Sequence, residues 1–248
     1  MAQNWQKDAK NMEEVQLGSP SLEWTTGLQH RLEMMQKYID FKDRRVMDVG
    51  CGVGMFLEKF RALGSDVYGV DVDEKKTRNS KLITQNVEVA PAEDLPFRKD
   101  SFDMVFFHEV IEHVDDDRKS INEAFRVLKP SGKLVLFAPN RLWPFETHGI
   151  YKKGKYKFGN IPLVTYLPDS KYKKLIPHVR NYRKKELYDL LKGNSYKKIV
   201  YRGVFPGFDK LSSRIPVFGK LIAKVFRILE KTPLHKFGIS HFLVVEKL

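Results

Sequence analysis

The chain alternates short apolar runs with stretches in which apolar residues recur every three or four positions. Apolar runs of this length predict buried strands, and the three-to-four spacing predicts amphipathic helices. In the first 140 residues the predicted strands cover 45–49, 66–70, 87–89, 102–107 and 133–138. Strands that alternate with helices indicate a parallel sheet covered on both faces. The expected fold class is therefore α/β, with a doubly wound sheet.

The alternation is interrupted after Pro139. A Lys- and Tyr-rich stretch at 151–174, with prolines at 162 and 168, is typical of an insertion or lid. A predicted helix at 183–191 and strands near 199–204 and 240–246 then follow. We expect an N-terminal helical segment at 1–44, a core at 45–140 and an acceptor-side region at 141–248, which completes the sheet and carries a lid insertion at about 141–180 and a second insert at about 205–238.

The second insert contains a predicted basic amphipathic helix at 217–231. On a helical wheel its apolar residues fall within about 180° of arc. They are Val217, Phe218, Leu221, Ile222, Val225, Phe226, Ile228 and Leu229, opposite Lys220, Lys224, Arg227 and Lys231. The apolar face could pack on the sheet or on a second subunit, as in most amphipathic helices. Alternatively, the helix could lie on an anionic membrane surface, where each basic group contributes about 1 kcal/mol.

Composition narrows the classes of protein. With 42% hydrophobic and 12% aromatic residues among 248, the chain is expected to fold around a sizeable core. Apolar runs fall short of the ~18 to 20 residues that span a bilayer, and the first residues lack a signal-peptide core. The single cysteine, Cys51, excludes an intrachain disulfide and a cysteine zinc cluster. A cytoplasmic protein is expected, with peripheral membrane contact through 217–231 as an option.

The net charge of +13 is unevenly distributed. Residues 1–140 carry 20 Lys and Arg against 24 Asp and Glu, whereas residues 141–248 carry 24 against 7. The basic excess therefore belongs to the acceptor-side region, which suggests contact with phosphate, lipid headgroups or nucleic acid.

A glycine-rich turn follows the first predicted strand. Gly50, Gly52 and Gly54 give the clearance that a nucleotide-bearing ligand needs at the carboxyl end of such a strand. A dinucleotide fingerprint requires glycine or alanine where this chain has Met55, and no Walker lysine follows. Asp71, at the end of the second strand, is positioned to accept the hydroxyls of an adenosine ribose. A nucleoside ligand other than NAD is expected.

Six motifs in order carry a resemblance to a known family. They are VMDVGCGVG (46–54), GVD (69–71), AEDLPF (92–97), SFDMV (101–105), VIEHV (110–114) and LKPSG (128–132). Together they resemble the class I S-adenosylmethionine-dependent methyltransferases, most closely the small-molecule branch that includes quinone-biosynthesis enzymes. The resemblance implies a Rossmann-like seven-stranded sheet with its last strand antiparallel, and S-adenosylmethionine as cofactor.

The resemblance also implies where the cofactor binds. Asp48 and the glycines would surround its methionine part, Asp71 its ribose, and residues 92–94 its adenine. Many relatives have Asp where this chain has Pro91, so the adenine amino contact falls to Glu93 or Asp94. The full predicted set is Asp48, Gly50, Cys51, Gly52, Gly54, Asp71, Val72, Ala92, Glu93, Asp94 and His108.

Three of the residues near the sheet edge have ordinary structural interpretations. Cys51 is read as a small residue in a tight turn rather than a nucleophile. For His108, which follows the fourth strand, cofactor contact and packing are equally good explanations. His113 is read as architectural.

Methyl transfer from a sulfonium is an in-line displacement, and a hydroxyl acceptor also needs a base. His148 is the predicted base, because it lies in the loop after the fifth strand, where the acceptor pocket forms. Glu109, Trp143, Phe145 and Tyr151 are the predicted acceptor contacts. No metal site is expected.

The predicted function is methyl transfer from S-adenosylmethionine to an oxygen, or less readily a carbon, of a small or lipid-linked acceptor. An RNA methyltransferase that uses the basic C-terminal region is the first alternative. Lysines alternate with tyrosines at 151–157, but no known RNA-binding module accompanies them, so nucleic acid is the less favoured partner. A non-catalytic protein that binds the cofactor is the second alternative. The sequence gives no indication of the oligomeric state.

Overall fold

The computed structural model describes residues 25–152 and 154–248. Up to residue 140, helices and strands alternate as the hydrophobic pattern predicts. The elements are α1 (Thr26–Gln36), β1 (Arg45–Val49), α2 (Met55–Ala62), β2 (Asp66–Asp71), α3 (Glu74–Ser80), β3 (Val87–Val89), β4 (Phe102–His108), α4 (Asp117–Val127) and β5 (Leu128–Pro139). Helix α1 belongs to the expected N-terminal helical segment, whose residues 1–24 lie outside the described residues.

The lid insertion contains short elements around a small core of its own. These are β6 (Phe145–Glu146), β7 (Ile150–Lys152), β8 (Lys155–Lys157), β9 (Ile161–Pro162), a 3-10 turn (Val164–Tyr166) and α5 (Asp169–Leu175). Strand β6 pairs with β9 and β7 pairs with β8. Buried Arg141 donates hydrogen bonds to the carbonyl oxygens of Thr165 and Leu167, and its guanidinium lies 3.5 Å from the centre of the Tyr172 ring. These contacts hold the lid to the end of β5.

The last part of the chain completes the sheet. It contains α6 (Lys184–Leu190), β10 (Tyr196–Val204), α7 (Asp209–Arg214), α8 (Pro216–Leu229), a 3-10 turn (Pro233–Phe237) and β11 (Ser240–Lys247). The strand order is β10-β11-β5-β4-β1-β2-β3. Strands β1 to β5 are parallel, and β11 runs antiparallel to both β5 and β10. The expected Rossmann-like seven-stranded sheet with an antiparallel last strand and C-terminal insertions is confirmed.

Residues 129–132, from the LKPSG motif, form a bulge inside β5, ahead of the strand predicted at 133–138. Leu128 already pairs with Phe102, and the ladder resumes with Lys133 opposite Met104. Between them the chain takes up a positive φ of 63° at Ser131. The bulge explains why the fifth strand begins five residues earlier than its apolar run.

Side chains of the strands alternate between two cores. On one face, Met47, Val105 and Phe107 pack with residues of α4 and α6. On the other face, Val46 and Phe106 pack with residues of α1 and α2. Both faces of the sheet are therefore covered, and the carboxyl edge of the parallel strands is left for ligands. Within the described residues, no helix combines the length and apolarity needed to cross a membrane.

Candidate active site

In the glycine turn after β1, neighbouring side chains fill the space beside the first and last glycines, and the space beside the middle glycine is open. Gly50, Gly52 and Gly54 have φ values of 72°, 54° and 88°, in the left-handed region that favours glycine. A Cβ on Gly50 would lie 2.3 Å from Val110 Cγ2, and one on Gly54 would lie 2.5 Å from Ile83 Cδ1. A Cβ on Gly52 would have no neighbour within 4 Å among the described residues. A ligand can therefore approach the backbone at Gly52.

Two carboxylates flank this turn. Asp71 Oδ2 accepts a hydrogen bond from the Gly52 amide at 2.8 Å, and Oδ1 accepts one from the Asp73 amide at 2.9 Å. Each oxygen keeps a lone pair with which to accept a ribose hydroxyl. Burial and the charge of Asp71 raise the pKa of Asp48 well above its usual value. A cationic ligand group would stabilise the ionised form of Asp48, and S-adenosylmethionine carries such groups.

The Cys51 thiol lies in the same turn and is buried. Burial, followed by the negative charges of Asp48 and Asp71, raises the pKa of Cys51 far above its usual value. The thiol therefore stays protonated, which agrees with its interpretation as a turn residue rather than a nucleophile.

The predicted adenine side contains both free and engaged groups. Val72 is 71% exposed next to Asp71, and Ala92 is buried. Glu93 Oε1 accepts a hydrogen bond from the Asp116 amide at 2.9 Å, whereas Asp94 is exposed. Of the two candidates for the adenine amino group, Asp94 is thus the less constrained. The cofactor roles of these residues stay predictions.

His108 packs among aromatic rings at the end of β4. Its ring centre lies 4.8 Å from that of Phe56 and 5.6 Å from that of Phe137. Burial and the charge of Arg31 hold the pKa of His108 well below its usual value. Its Nε2 is buried with no hydrogen-bond partner among the described residues. The ring is therefore neutral, and a contact with a ligand would give Nε2 the partner it lacks.

A second cluster forms where the segment after β4 meets the lid. Its members are Glu112, His113 and His148, each of which offers one ligand atom within 4.8 Å of the others. Glu112 is buried, and neither carboxylate oxygen has a hydrogen-bond partner in the described part of the chain. His113 Nε2 lies 3.8 Å from Glu112 Oε1, and the rings of His113 and His148 are 5.5 Å apart between centres. No metal site is expected from the sequence, yet the fold brings three metal-ligating groups together.

The cluster is joined to the glycine turn by Val110. The Val110 side chain occupies the space beside Gly50, and its carbonyl oxygen accepts a hydrogen bond from the His113 amide at 2.9 Å. The two parts of the site therefore share one edge of the sheet, as the motif order implies.

Glu146 orients His148. Glu146 is buried, and its Oε1 accepts hydrogen bonds from the His148 amide at 2.8 Å and from His148 Nδ1 at 3.2 Å. Its Oε2 accepts from the Tyr172 hydroxyl at 3.0 Å and from Asn181 Nδ2 at 2.7 Å. Burial acts to raise the pKa of Glu146, but the hydrogen bonds from His148 lower it below its usual value. An ionised Glu146 assigns the proton to Nδ1 and leaves Nε2 of His148 as a proton acceptor.

His113 is neutral near pH 7. Burial, and then the nearby His148 and His178, lower its pKa to about 4. Burial and the charge of Glu109 raise the pKa of Glu112 well above its usual value. Two imidazole rings and a carboxyl group are ligand types that zinc and other divalent transition metals accept. The cluster could thus hold such a cation or act without one.

The predicted acceptor residues are only partly grouped together. Glu109 Oε1 accepts a hydrogen bond from Arg31 Nη2 at 3.2 Å and another from the Ser240 hydroxyl, so it connects α1 to β11. In the lid, Trp143 and Phe145 have ring centres 5.8 Å apart. Tyr151 lies in β7, with its ring centre 5.3 Å from that of His178. His178 Nε2 in turn contacts the carbonyl oxygen of His148 at 3.1 Å.

The sequence did not identify several residues of this site. Glu146 lies two positions before His148, and that spacing is a signal that could have been used. Tyr172 and Asn181 are 26 and 35 positions from Glu146, with no local pattern to connect them. The unpartnered state of Glu112 depends on burial by several segments and has no sequence signal.

Comparison with known proteins agrees with this architecture. Residues 47–136 match a family described as a methyltransferase domain. A ubiquinone biosynthesis O-methyltransferase from Coxiella burnetii (strain Dugway 5J108-111) is 28% identical over 172 residues, which are 67% of this chain and 69% of that protein. A ubiquinone biosynthesis O-methyltransferase from Xanthomonas oryzae pv. oryzae (strain PXO99A) is 35% identical over 118 residues, 45% of this chain and 49% of the relative.

Two solved structures share the fold. An S-adenosylmethionine-dependent methyltransferase from Mesorhizobium loti superimposes with a TM-score of 0.60 at 16% identity, over 87% of this chain and 96% of the other. The PH0226 protein from Pyrococcus horikoshii OT3 gives 0.59 at 21% identity, over 90% and 92%. Motifs, sheet topology and relatives agree: the chain is a class I S-adenosylmethionine-dependent methyltransferase, similar to the quinone methyltransferases.

Proposed function

We propose that the enzyme methylates a hydroxyl oxygen on a small, lipid-linked acceptor. The observation that carries this proposal is the Glu146–His148 pair, in which Nδ1 faces a buried carboxylate and Nε2 is left as the proton acceptor, in a cluster with Glu112 and His113. A base is needed for a hydroxyl acceptor, whereas a carbon acceptor places less demand on one. The two relatives named above are O-methyltransferases of ubiquinone biosynthesis, which supports the same class of acceptor.

On the cofactor side we assign the roles by position. Asp48 and the turn from Gly50 to Gly54 would hold the methionine part, and Asp71 would accept the ribose hydroxyls. Val72, Ala92 and Asp94 would surround the adenine. S-adenosylmethionine, when bound, supplies a methyl group made electrophilic by its sulfonium.

On the acceptor side His148 acts as the general base. The acceptor oxygen forms a bond to the methyl carbon as the carbon–sulfur bond breaks, and the hydroxyl proton moves to His148 Nε2. Glu146 stabilises the resulting imidazolium through Nδ1, because an ionised carboxylate lies 3.2 Å away. Trp143, Phe145 and Tyr151 would bound the acceptor ring.

A divalent cation held by Glu112, His113 and His148 would give these residues a different part in the same reaction. The cation would lower the pKa of an acceptor hydroxyl that binds to it, and His148 would be a ligand rather than a base. Chelation separates the two mechanisms. Activity that survives EDTA supports His148 as the base, whereas activity that EDTA removes and a divalent metal restores supports the cation.

The test of the function is methyl incorporation from labelled S-adenosylmethionine into three acceptor pools: lipid extract, a soluble catechol and total RNA. We expect methyl ethers in the lipid extract, identified by mass spectrometry, and slower labelling of the catechol. Label confined to RNA would overturn the acceptor class and favour the nucleic-acid alternative. Absence of label in all three pools, with S-adenosylhomocysteine still bound, would favour a non-catalytic protein.

A further inference from the structure

Helix α8 contacts the rest of the protein through a narrow face. Gly219, Ala223 and Glu230 are buried on that face. A Cβ on Gly219 would lie 2.5 Å from the backbone of Ser212, which shows how closely the helix approaches α7. The ring of Phe226 lies on the same side, 4.8 Å from the ring centre of Phe205. Of the predicted apolar arc, only part therefore packs against the protein.

The remaining apolar residues of α8 face solvent. They are 47% to 83% exposed and lie within about 100° of the helical wheel. We call them the apolar stripe: Val217, Phe218, Leu221, Val225 and Ile228. Ile215 before the helix, and Leu234 and Phe237 after it, are also exposed. Contiguous apolar surface of this kind marks an interaction site.

A basic stripe runs along the helix beside the apolar stripe. It consists of Lys220, Lys224, Arg227 and Lys231, all of them exposed. On the wheel the two stripes are adjacent, and the buried face lies opposite their common boundary. A helix that presents apolar and basic groups side by side to solvent has the form of an interfacial membrane helix.

A charged cavity of about 390 Å³ lies on the basic flank of α8, between this helix, α1 and β10. Four cations line it: Lys37, Arg202, Arg227 and Lys231. Glu230, one of its two carboxylates, already has partners. It contacts His30 Nε2 at 2.6 Å and accepts a hydrogen bond from the Phe205 amide at 2.9 Å. The lining therefore favours an anion, and its volume can admit a phosphate group.

We infer that α8 docks the enzyme on an anionic lipid surface. The apolar stripe enters the boundary between headgroups and acyl chains, and the basic stripe and the cavity contact lipid phosphates. Charge complementarity selects this occupant, because four cations adjoin the stripe on a region with 24 Lys and Arg against 7 Asp and Glu.

The position of α8 suits a lipid-linked acceptor, and this part of the inference rests on the proposed function. Ring contacts connect the helix to the lid insertion. Phe226 packs on Phe205, and Phe205 packs on Trp143 of the lid, with 6.2 Å between ring centres. A membrane that contacts α8 would therefore lie close to the lid. Docking itself can be measured without any turnover.

The experiment is co-sedimentation of the full chain with vesicles of phosphatidylcholine, with and without phosphatidylglycerol. We expect binding only to the anionic vesicles, and weaker binding as salt rises. Lys220→Ala with Lys224→Ala should weaken binding about 10- to 30-fold, since each lysine near an anionic surface is expected to strengthen binding roughly 3- to 5-fold. Phe218→Glu with Leu221→Glu should abolish it. Leu82→Glu with Leu248→Glu adds the same charge at exposed leucines elsewhere and should bind like the wild type.

Several results would overturn docking on lipid. They are a wild type that ignores anionic vesicles at low salt, a stripe variant that still binds, or equal loss in the stripe variant and its control. A dimer that the stripe variant converts to a monomer, without vesicle binding, would assign the stripe to a second copy. Vesicle binding that appears only after removal of residues 1–24 would assign the apolar stripe to this segment rather than to lipid.

Unchanged S-adenosylhomocysteine binding and an unchanged melting temperature show that a variant is folded. Vesicle binding without methyl transfer would support docking and contradict the proposed function, so the two can fail separately.

Discussion

The cofactor side and the acceptor side of the sheet edge are built from different parts of the chain. On the cofactor side, three glycines and the carboxylates of Asp48 and Asp71 lie within 24 positions, and Gly52 already bonds to Asp71. On the acceptor side, the partners of Glu146 come from α5 and from the segment before α6. One side is shaped by backbone conformation, and the other by side chains that the lid brings together.

The electrostatics of the two sides differ in the same way. Two acidic groups and an open backbone suit a cofactor that carries positive charge. The acceptor side offers imidazoles, one of them oriented by a buried carboxylate, which suits the handling of a proton. We therefore expect substitutions on the cofactor side to change affinity and substitutions on the acceptor side to change turnover. A cofactor-side variant that changed only turnover, or an acceptor-side variant that changed only cofactor affinity, would contradict this assignment of the two sides.

The largest expected effect is on the acceptor side. His148→Ala should lower turnover about 10²- to 10⁴-fold, because it removes the base from a reaction that needs proton transfer. Affinity for S-adenosylhomocysteine, measured by calorimetry, should stay within a few-fold. Glu146→Gln is the companion variant: it should reduce turnover less, since it keeps the shape but loses the charge that supports the imidazolium. Turnover of His148→Ala close to that of the parent enzyme would remove His148 from the mechanism.

Asp71→Ala should produce the largest effect on the cofactor side. Loss of a carboxylate that accepts two ribose hydroxyls is expected to forfeit about 1.5 to 3 kcal/mol, or roughly 10- to 150-fold in affinity. Calorimetric titration with S-adenosylhomocysteine measures this loss, and the melting temperature of the free variant controls for folding. An unchanged affinity in a folded variant would contradict the ribose assignment.

The same contrast explains what the sequence could predict. Strands, the glycine turn and Asp71 depend on neighbours within about 25 residues, so periodicity and motif spacing were sufficient for them. The bulge in β5 was not foreseen, because apolar periodicity begins only after Ser131, whereas pairing begins at Leu128. The Glu146 network needs the lid folded onto the sheet, which no spacing along the chain encodes.

Helix α8 could be predicted from the sequence only in part. The wheel identified its apolar and basic residues correctly but could not say which part of the apolar arc meets the protein. The small residues Gly219 and Ala223 indicate the packed side, since close approach of a helix to its neighbour requires small side chains. Residue volume on the wheel, in addition to hydrophobicity, would have predicted the exposed stripe.

A smaller effect is expected from shape alone at Gly52. Gly52→Ala adds a methyl group where the backbone is open to a ligand, at a φ of 54°. Gly193→Ala is the matched control, because Gly193 also has a positive φ, 95°, and nothing within 4 Å of its added Cβ among the described residues. Both should lose about 1 to 2 kcal/mol of stability from left-handed strain.

Only Gly52→Ala should also weaken the binding of S-adenosylhomocysteine, by about tenfold, the equivalent of about 1.4 kcal/mol. Thermal unfolding and calorimetry on the two variants test this difference. Equal affinities would show that the ligand does not approach the backbone at Gly52.

The smallest expected effect is a proton linkage at Asp48. Burial and the charge of Asp71 raise its pKa in the free protein, so at pH values below that raised pKa a cationic ligand must displace a proton from Asp48. Affinity for S-adenosylmethionine should therefore rise with pH through this raised pKa, by at most tenfold per pH unit, and binding should release up to one proton. Calorimetry in two buffers of different ionisation enthalpy measures the release. S-adenosylhomocysteine lacks the sulfonium charge and should release less. Asp48→Asn should bind both ligands without proton release, and a release that persists in this variant would assign the linkage to another group.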